Sequence, residues 1–240
     1  MQVQRVSFRM LVAIAPLAVA ATALAKSDSV AYVDSQGRQW RELSSTVART
    51  WFQVASVCPT DGVTLCSGSL GNLNLDGWVW ATKDQVQEMM AELAPIAAKD
   101  GCFSGVAYSA QAWSVLNYFD SLPSFELTNT VSGWTATVAT VPGLTNYAYA
   151  PRVGTHDEIA SDSSVCPDNL QQRNESGTTI GIWMFRPPCH ADIDQDGTVG
   201  PSDLAALLGS WGTAGSADLS GNGVVDAPDL SLVLAAWGDC

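Results

Sequence analysis

The sequence predicts an α+β N-terminal region followed by a small all-α C-terminal domain built from two loop–helix repeats. Three observations carry this expectation. An Asp-x-Asp-x-Asp-Gly loop begins at Asp192 and leads into a leucine-rich segment, and a diverged copy starts 26 residues later at Asp218. Residues 26–186 mix strand-like alternation with helix-start signals and are long enough for one independent core. Residues 1–25 read as an export segment that takes no part in the fold.

In that leading segment Arg5 and Arg9 form a positive start, residues 10–21 are apolar, and Ala23-Leu24-Ala25 has the small-x-small pattern of a cleavage site. The apolar run is too short for a membrane span, and nothing later reaches spanning length. We therefore expect a secreted or extracellular protein, held at a cell surface if at all through a partner. Cleavage after residue 25 changes the formal charge from −13 to −15, and a surface that acidic repels nucleic acid and anionic lipid.

Along residues 26–186, segments 30–33 and 39–43 read as strands joined by the turn Asp34-Ser35-Gln36-Gly37. A helix is expected over 47–57 and another over 83–93, the latter started by Thr82 with Gln85 three residues on, a capping-box pattern. Residues 134–141 and 178–185 are rich in strand formers, and 95–123 reads as helical or irregular. Six cysteines in an exported chain suggest disulfides, with fifteen possible pairings. The preferred pair is Cys189 with Cys240, which bracket the repeat; Cys58 and Cys66 flank a Pro59-Thr60-Asp61-Gly62 turn, and Cys102 with Cys166 is what remains.

The repeats carry the clearest chemistry. A hard cation needs several oxygens around one point, and alternate positions 1, 3 and 5 of a tight twelve-residue loop aim three side chains inward. In the first loop these are Asp192, Asp194 and Asp196; Gly197 permits the reversal, the carbonyl of Thr198 adds an oxygen, and Asp203 stands at position 12. The second loop offers Asp218, Ser220, Asn222, the carbonyl of Val224, and Asp229. Two calcium ions are thus expected, and the eight Asp with no Lys or Arg in residues 192–240 make metal binding and folding one event. The stripes Leu204, Leu207, Leu208, Trp211 and Leu230, Val233, Leu234, Trp237 share i, i+3, i+4, i+7 spacing and are expected to pack face to face, each ending at Trp-Gly. The plainer alternative is a pair of solvated Asp/Gly turns.

This double pattern resembles a type I dockerin, in the variant bracketed by a cysteine pair. The resemblance covers residues 187–240 and implies calcium-dependent docking to a cohesin-type partner or a cell-surface component. Asp at position 12 of both loops, and Arg186-Pro187-Pro188 in place of a preceding helix, favour this family over a calmodulin-like sensor. More faintly, residues 26–186 resemble a C-type-lectin-like family of bacterial surface domains. The matching residues are Trp51, Val54 and Cys58, the turn Gly77-Trp78-Val79-Trp80-Ala81-Thr82, and Gly181-Ile182-Trp183-Met184-Phe185-Arg186. Val79 and Ala81 stand where that family has Arg and Pro. No Glu-Pro-Asn or Gln-Pro-Asp tripeptide occurs, so the calcium-dependent sugar site of true C-type lectins is not implied.

Seven tryptophans lie before the repeats: Trp40, Trp51, Trp78, Trp80, Trp113, Trp134 and Trp183. They are either core anchors or, where exposed, stacking faces for a polysaccharide. A catalytic role has little support: the histidines are His156 and His190, with no Gly-x-Ser-x-Gly elbow and no His-Glu-x-x-His zinc helix. The favoured reading is a non-catalytic, dockerin-anchored protein whose N-terminal region displays or binds a ligand, a glycan being one candidate. The alternative is a dockerin-borne glycoside hydrolase, whose paired carboxylates would leave no sequence signal. A third reading makes the repeat only a calcium-stabilised cap.

Overall fold

The computed structural model of the chain describes residues 30–123, 129–156, 163–194, 196 and 198–239. The expected signal segment, Gly197 and the Cys240 half of the preferred disulfide lie outside these residues. Among the described residues the protein is mostly β: fifteen short strands against five α-helices of five to eleven residues. The expected α+β class with an all-α C-terminal domain is therefore corrected.

Two sheets meet along one chain segment. In the four-stranded sheet, Val30–Val33 pairs with Gln39–Arg41, which pairs with Met184–Arg186, which pairs with Val79–Trp80. In the five-stranded sheet the order is Gly181–Ile182, Asn129–Trp134, Arg152–Thr155, Ser164–Cys166 and Phe103–Ser104. Residues 181–186 thus serve both sheets, with a break at Trp183 where the backbone changes partners. Gly133 and Gly181, paired across this seam, accept the close packing: a Cβ on Gly181 would lie 2.7 Å from the Leu43 carbonyl, and one on Gly133 2.9 Å from the Leu43 side chain.

Strand alternation sends successive side chains to two apolar layers. Val79, Ala81, Trp183 and Phe185 join Val131, Val153 and Val165 in one cluster, while Trp78, Trp80, Ile182 and Met184 join Trp134 in the other. Helix α1 (Trp51–Ala55) contributes Trp51 and Val54 to the second layer. Helix α2 (Lys83–Leu93) and helix α3 (Ser109–Leu116) cover the first through Val86, Met89, Met90, Ala112, Val115 and Leu116. Six of the seven tryptophans before the repeats are at most 7% exposed and only Trp113 reaches 38%, so they are core anchors and no aromatic platform forms.

The expected turn at 34–37 is present, with the Gly37 amide on the Asp34 carbonyl, and α2 starts at Thr82 with the reciprocal Gln85 bonds of a capping box. Helix α1 is shorter than the expected 47–57 because Ala48 sits at φ 63° and Thr50 becomes the cap, bonded reciprocally with Gln53. The expected strand over 134–141 is displaced: a strand occupies Asn129–Trp134, after which the amides of Thr135, Ala136 and Ala139 go to three different carbonyls, those of Tyr149, Ala81 and Tyr147. Cys58–Cys66 and Cys102–Cys166 are disulfides, with Cα–Cα separations of 4.2 and 4.1 Å. Cys189 is also disulfide-bonded.

From Cys189 onward a third cluster forms on its own residues: Ala191 with Ala217, Val199 with Val225 and Leu207 with Val233, three pairs each 26 residues apart. Helix α4 (Pro201–Gly209) packs on helix α5 (Ala227–Ala235). The face-to-face stripe is narrower than expected. Leu207 and Val233 are fully buried, whereas Leu208, Trp211, Leu234 and Trp237 are 46–54% exposed. Both helices stop before their tryptophan, so the i+7 position is not helical.

The chain beyond each helix is the reason this part is not all-α. Val199 of the first loop pairs with Gly238 beyond α5. Val225 of the second exchanges backbone hydrogen bonds with Gly212 and Thr213 beyond α4. The chain after each Trp-Gly stop therefore returns to hydrogen-bond the other repeat's loop.

Candidate metal centre

In the first loop the side chains of Asp192, Asp194 and Asp196 converge: one carboxylate oxygen from each lies within 4.8 Å of the others. The backbone holds them there. The Asp196 amide donates to Asp192 Oδ1 at 3.1 Å and Asp194 Oδ1 at 3.2 Å, and the Thr198 amide and hydroxyl donate to Asp196 Oδ1 at 2.9 and 2.8 Å. Three carboxylates this close repel one another, and a divalent cation relieves that repulsion.

The second loop repeats the wiring with fewer charges. The Asn222 amide donates to Asp218 Oδ1 at 3.1 Å and the Val224 amide to Asn222 Oδ1 at 2.9 Å, repeating the Asp196-to-Asp192 and Thr198-to-Asp196 amide bonds of the first loop. Gly223, at φ 96°, turns its amide onto Asp218 Oδ2 at 2.8 Å. The Ser220 hydroxyl is 3.4 Å from Asp218 Oδ1, and the Asn222 side-chain amide donates to Asp226 at 3.3 Å. Among the described residues no triad of acidic side chains forms in this loop.

Position 12 makes contacts that the loop spacing does not announce. Asp203 and Asp229 are completely buried and stand apart from the Asp192 triad. Asp203 Oδ1 accepts the amides of Ile193 at 2.6 Å and Asp194 at 3.2 Å, and its Oδ2 accepts the Gly200 amide at 2.7 Å. Asp229 accepts the Ser220 amide at 2.7 Å and the Asp226 amide at 2.8 Å in the equivalent places. Burial works against ionisation of Asp203, yet the amides of Gly200, Asp194 and Ile193 outweigh it and hold its pKa below the usual carboxylate value. For Asp229 the Asp226 amide is the leading cause, acting with Ser220 against burial in the same direction.

These two carboxylates tie the loop start to the helix start. Asp203 Oδ1 accepts two amides, but its Oδ2 accepts one and retains a second lone pair, so a ligand role at position 12 is compatible with these bonds. Loop spacing alone presents them as ligands and gives no hint of the amide contacts. A different signal in the sequence does, since an acid at the third position of a helix reaching back to the residue before it is half of a capping box.

The remaining candidate groups do not assemble into a reaction centre among the described residues. His190 is exposed beside the first loop, and His156 follows the strand Arg152–Thr155, its neighbours Asp157 and Glu158 lying outside the described residues. No helix among the described residues is long and apolar enough to cross a membrane. Comparison with protein families, curated proteins and solved structures finds no match for this chain.

Proposed function

We propose that residues 187–240 form a calcium-dependent docking module. In this reading one ion sits among Asp192, Asp194, Asp196 and the Thr198 carbonyl, and a second among Asp218, Ser220, Asn222 and the Val224 carbonyl, with Asp203 and Asp229 at position 12. The convergence of three carboxylates on alternate residues of the first loop carries the proposal. The recurrence of two of its amide-to-side-chain bonds in the second loop supports it, because an incidental acidic turn has no reason to recur with shared wiring 26 residues on.

The partner is a cohesin-type protein, reached in the extracellular space or at a cell surface. Leu208 with Trp211, and Leu234 with Trp237, supply two equivalent exposed apolar pairs for it. The region before the module is a non-catalytic display or ligand-binding unit.

Calorimetric titration with calcium is expected to give two sites, and a cohesin panel is expected to retain the protein in calcium and release it in chelator. Absence of calcium binding, or retention indifferent to chelator, would sink the reading. Positions 10 and 11 of the loops are Pro201-Ser202 and Ala227-Pro228, exposed at the helix starts and different from each other. One preferred docking orientation is therefore expected, since interchangeable faces require matching contact residues. Exchanging each pair for the other, in separate variants, is expected to damage docking unequally; equal small losses would contradict it.

A further inference from the structure

The two disulfides of residues 30–186 differ in depth and in span. Cys58–Cys66 joins residues 8 apart and lies inside: each cysteine is 3% exposed, and both belong to the second apolar layer. Their amides are bonded to the carbonyls of Val54 and Trp78 at 2.9 and 2.7 Å. Cys102–Cys166 joins residues 64 apart and reaches the surface. Cys166 is 8% exposed at the end of the strand Ser164–Cys166, whereas Cys102, just before Phe103–Ser104, is an exposed residue. A thiolate must reach one sulfur of a bridge before it can exchange, so access separates the two.

The exposed bridge fastens a short outer strand. Phe103–Ser104 ends the five-stranded sheet, is two residues long, and pairs there with Val165 and Ser164. Gly101 and Gly105, at φ 114° and 118°, turn the chain on either side, and the Gly105 amide adds a bond to the Ser163 carbonyl at 2.9 Å. So few backbone bonds open readily unless something else ties the segment down. One such tie is ionic. Lys83, at the start of α2, places Nζ 2.5 Å from Asp168 Oδ1 and 3.0 Å from Asp100 Oδ1, and Asp168 Oδ2 accepts the Gly101 amide at 2.8 Å. The disulfide is the other. Ser164–Cys166 has support of its own, since it pairs with Arg152–Thr155 over three residues on its inner side and sends Val165 into the core.

We propose that Cys102–Cys166 is a thiol-sensitive latch on the edge of the five-stranded sheet, opened by a small dithiol that leaves Cys58–Cys66 intact. A thiolate of the dithiol attacks Cys102 Sγ, the bond to Cys166 Sγ breaks, and Cys166 departs as a thiolate that takes up a proton. The second thiol of the reductant loses its proton and closes on the first, expelling Cys102, which is protonated in turn. The dithiol leaves as a cyclic disulfide, and two electrons and two protons have passed to the bridge. With the latch open, Phe103–Ser104 parts from Ser164–Cys166, whose outer backbone groups then face solvent. The latch shares no residue with the calcium loops.

The test is titration of the full chain, in calcium, with dithiothreitol, followed by alkylation with N-ethylmaleimide and peptide mass mapping. Cys102 and Cys166 are expected to be labelled at a dithiothreitol concentration at least about tenfold below the one that labels Cys58 and Cys66. Deuterium uptake at the lower concentration is expected to rise in peptides holding residues 103–104 and 164–166 and to stay low in Asn129–Trp134. The paired substitution Cys102→Ser with Cys166→Ser is expected to give the same pattern with no reductant present and every other bridge intact; the partly reduced native chain carries the test if that variant does not fold. Lys83→Met removes the ionic tie, so it is expected to raise uptake in residues 103–104 of the reduced chain further while leaving the oxidised chain near the native level. Labelling of Cys58 and Cys66 first, or of all four together, would overturn the proposal. So would uptake unchanged in both segments, or raised throughout residues 30–186.

Discussion

The two regions of this molecule are held together by different physics. Residues 30–186 carry two broad apolar layers, six buried tryptophans and two disulfides, so dehydration of large side chains and covalent cross-links stabilise them. The repeat from Cys189 onward has six buried apolar residues, none larger than leucine, around two buried carboxylates and a converging triad of acids. A core that small supplies little stability on its own, and in the proposed reading a bound ion contributes the rest. One region has a core broad enough to stand alone; the other, in the proposed reading, responds to calcium in its solution.

Removing calcium is the severest test of this contrast. In chelator the repeat is expected to lose its helices and its amide-exchange protection while the tryptophan core of residues 30–186 keeps its protection; loss in both regions, or in neither, would erase the distinction. Trp183→Ala attacks the other side. Trp183 is fully buried, packs edge-on against Trp40 and Phe119 with centroids 6.3 and 5.2 Å away, and donates its indole N–H to the Pro151 carbonyl at 3.2 Å. Its removal is expected to cost about 3–5 kcal/mol in denaturant unfolding, with calcium affinity unchanged.

Within the repeat, the first loop offers more carboxylates than the second and is expected to be the tighter site. Asp192→Ala is expected to remove the higher-affinity calorimetric phase and Asp218→Ala the lower one, each weakened about tenfold or more. Loss of the weaker phase on changing Asp192 would invert the ordering.

Acid supplies a milder probe. A carboxyl whose pKa is lower in the folded chain stabilises it above the ordinary value of 3.8, and that contribution disappears as pH falls through the lower, folded value. Asp203 and Asp229 both act in this direction, so the calcium-free repeat is expected to loosen on acidification below about pH 4. Glu42 in the larger region acts oppositely: burial raises its pKa, so its protonation favours the fold and its contribution falls as pH rises through that raised value. With the exposed Trp113 replaced, Trp211 and Trp237 are the exposed tryptophans that remain, and the quencher-accessible fluorescence should change before that of the six buried tryptophans does. The smallest effect is local: Thr82→Ala removes the start of α2 and is expected to cost about 1 kcal/mol in the larger region alone.

Features written in short windows were legible in the sequence. The α2 capping box, the Asp34–Gly37 turn, the short Cys58–Cys66 bridge and the alternate acids of the first loop each depend on residues a few positions apart, and steric and hydrogen-bonding rules act at that range. Tertiary structure alone decided the rest. Whether a tryptophan faces ligand or core depends on which strands flank it, and Trp78 and Trp80 do share one face but lie beneath Trp51 and Trp134. The strands Arg152–Thr155 and Ser164–Cys166 gain their partners across intervening chain. The repeat's departure from an all-α form has the same origin: Val199 is in a strand with the chain beyond α5, and Val225 finds its backbone partners beyond α4. Periodicity within one segment cannot encode such a partner, because the energy of a strand lies in the neighbour it pairs with.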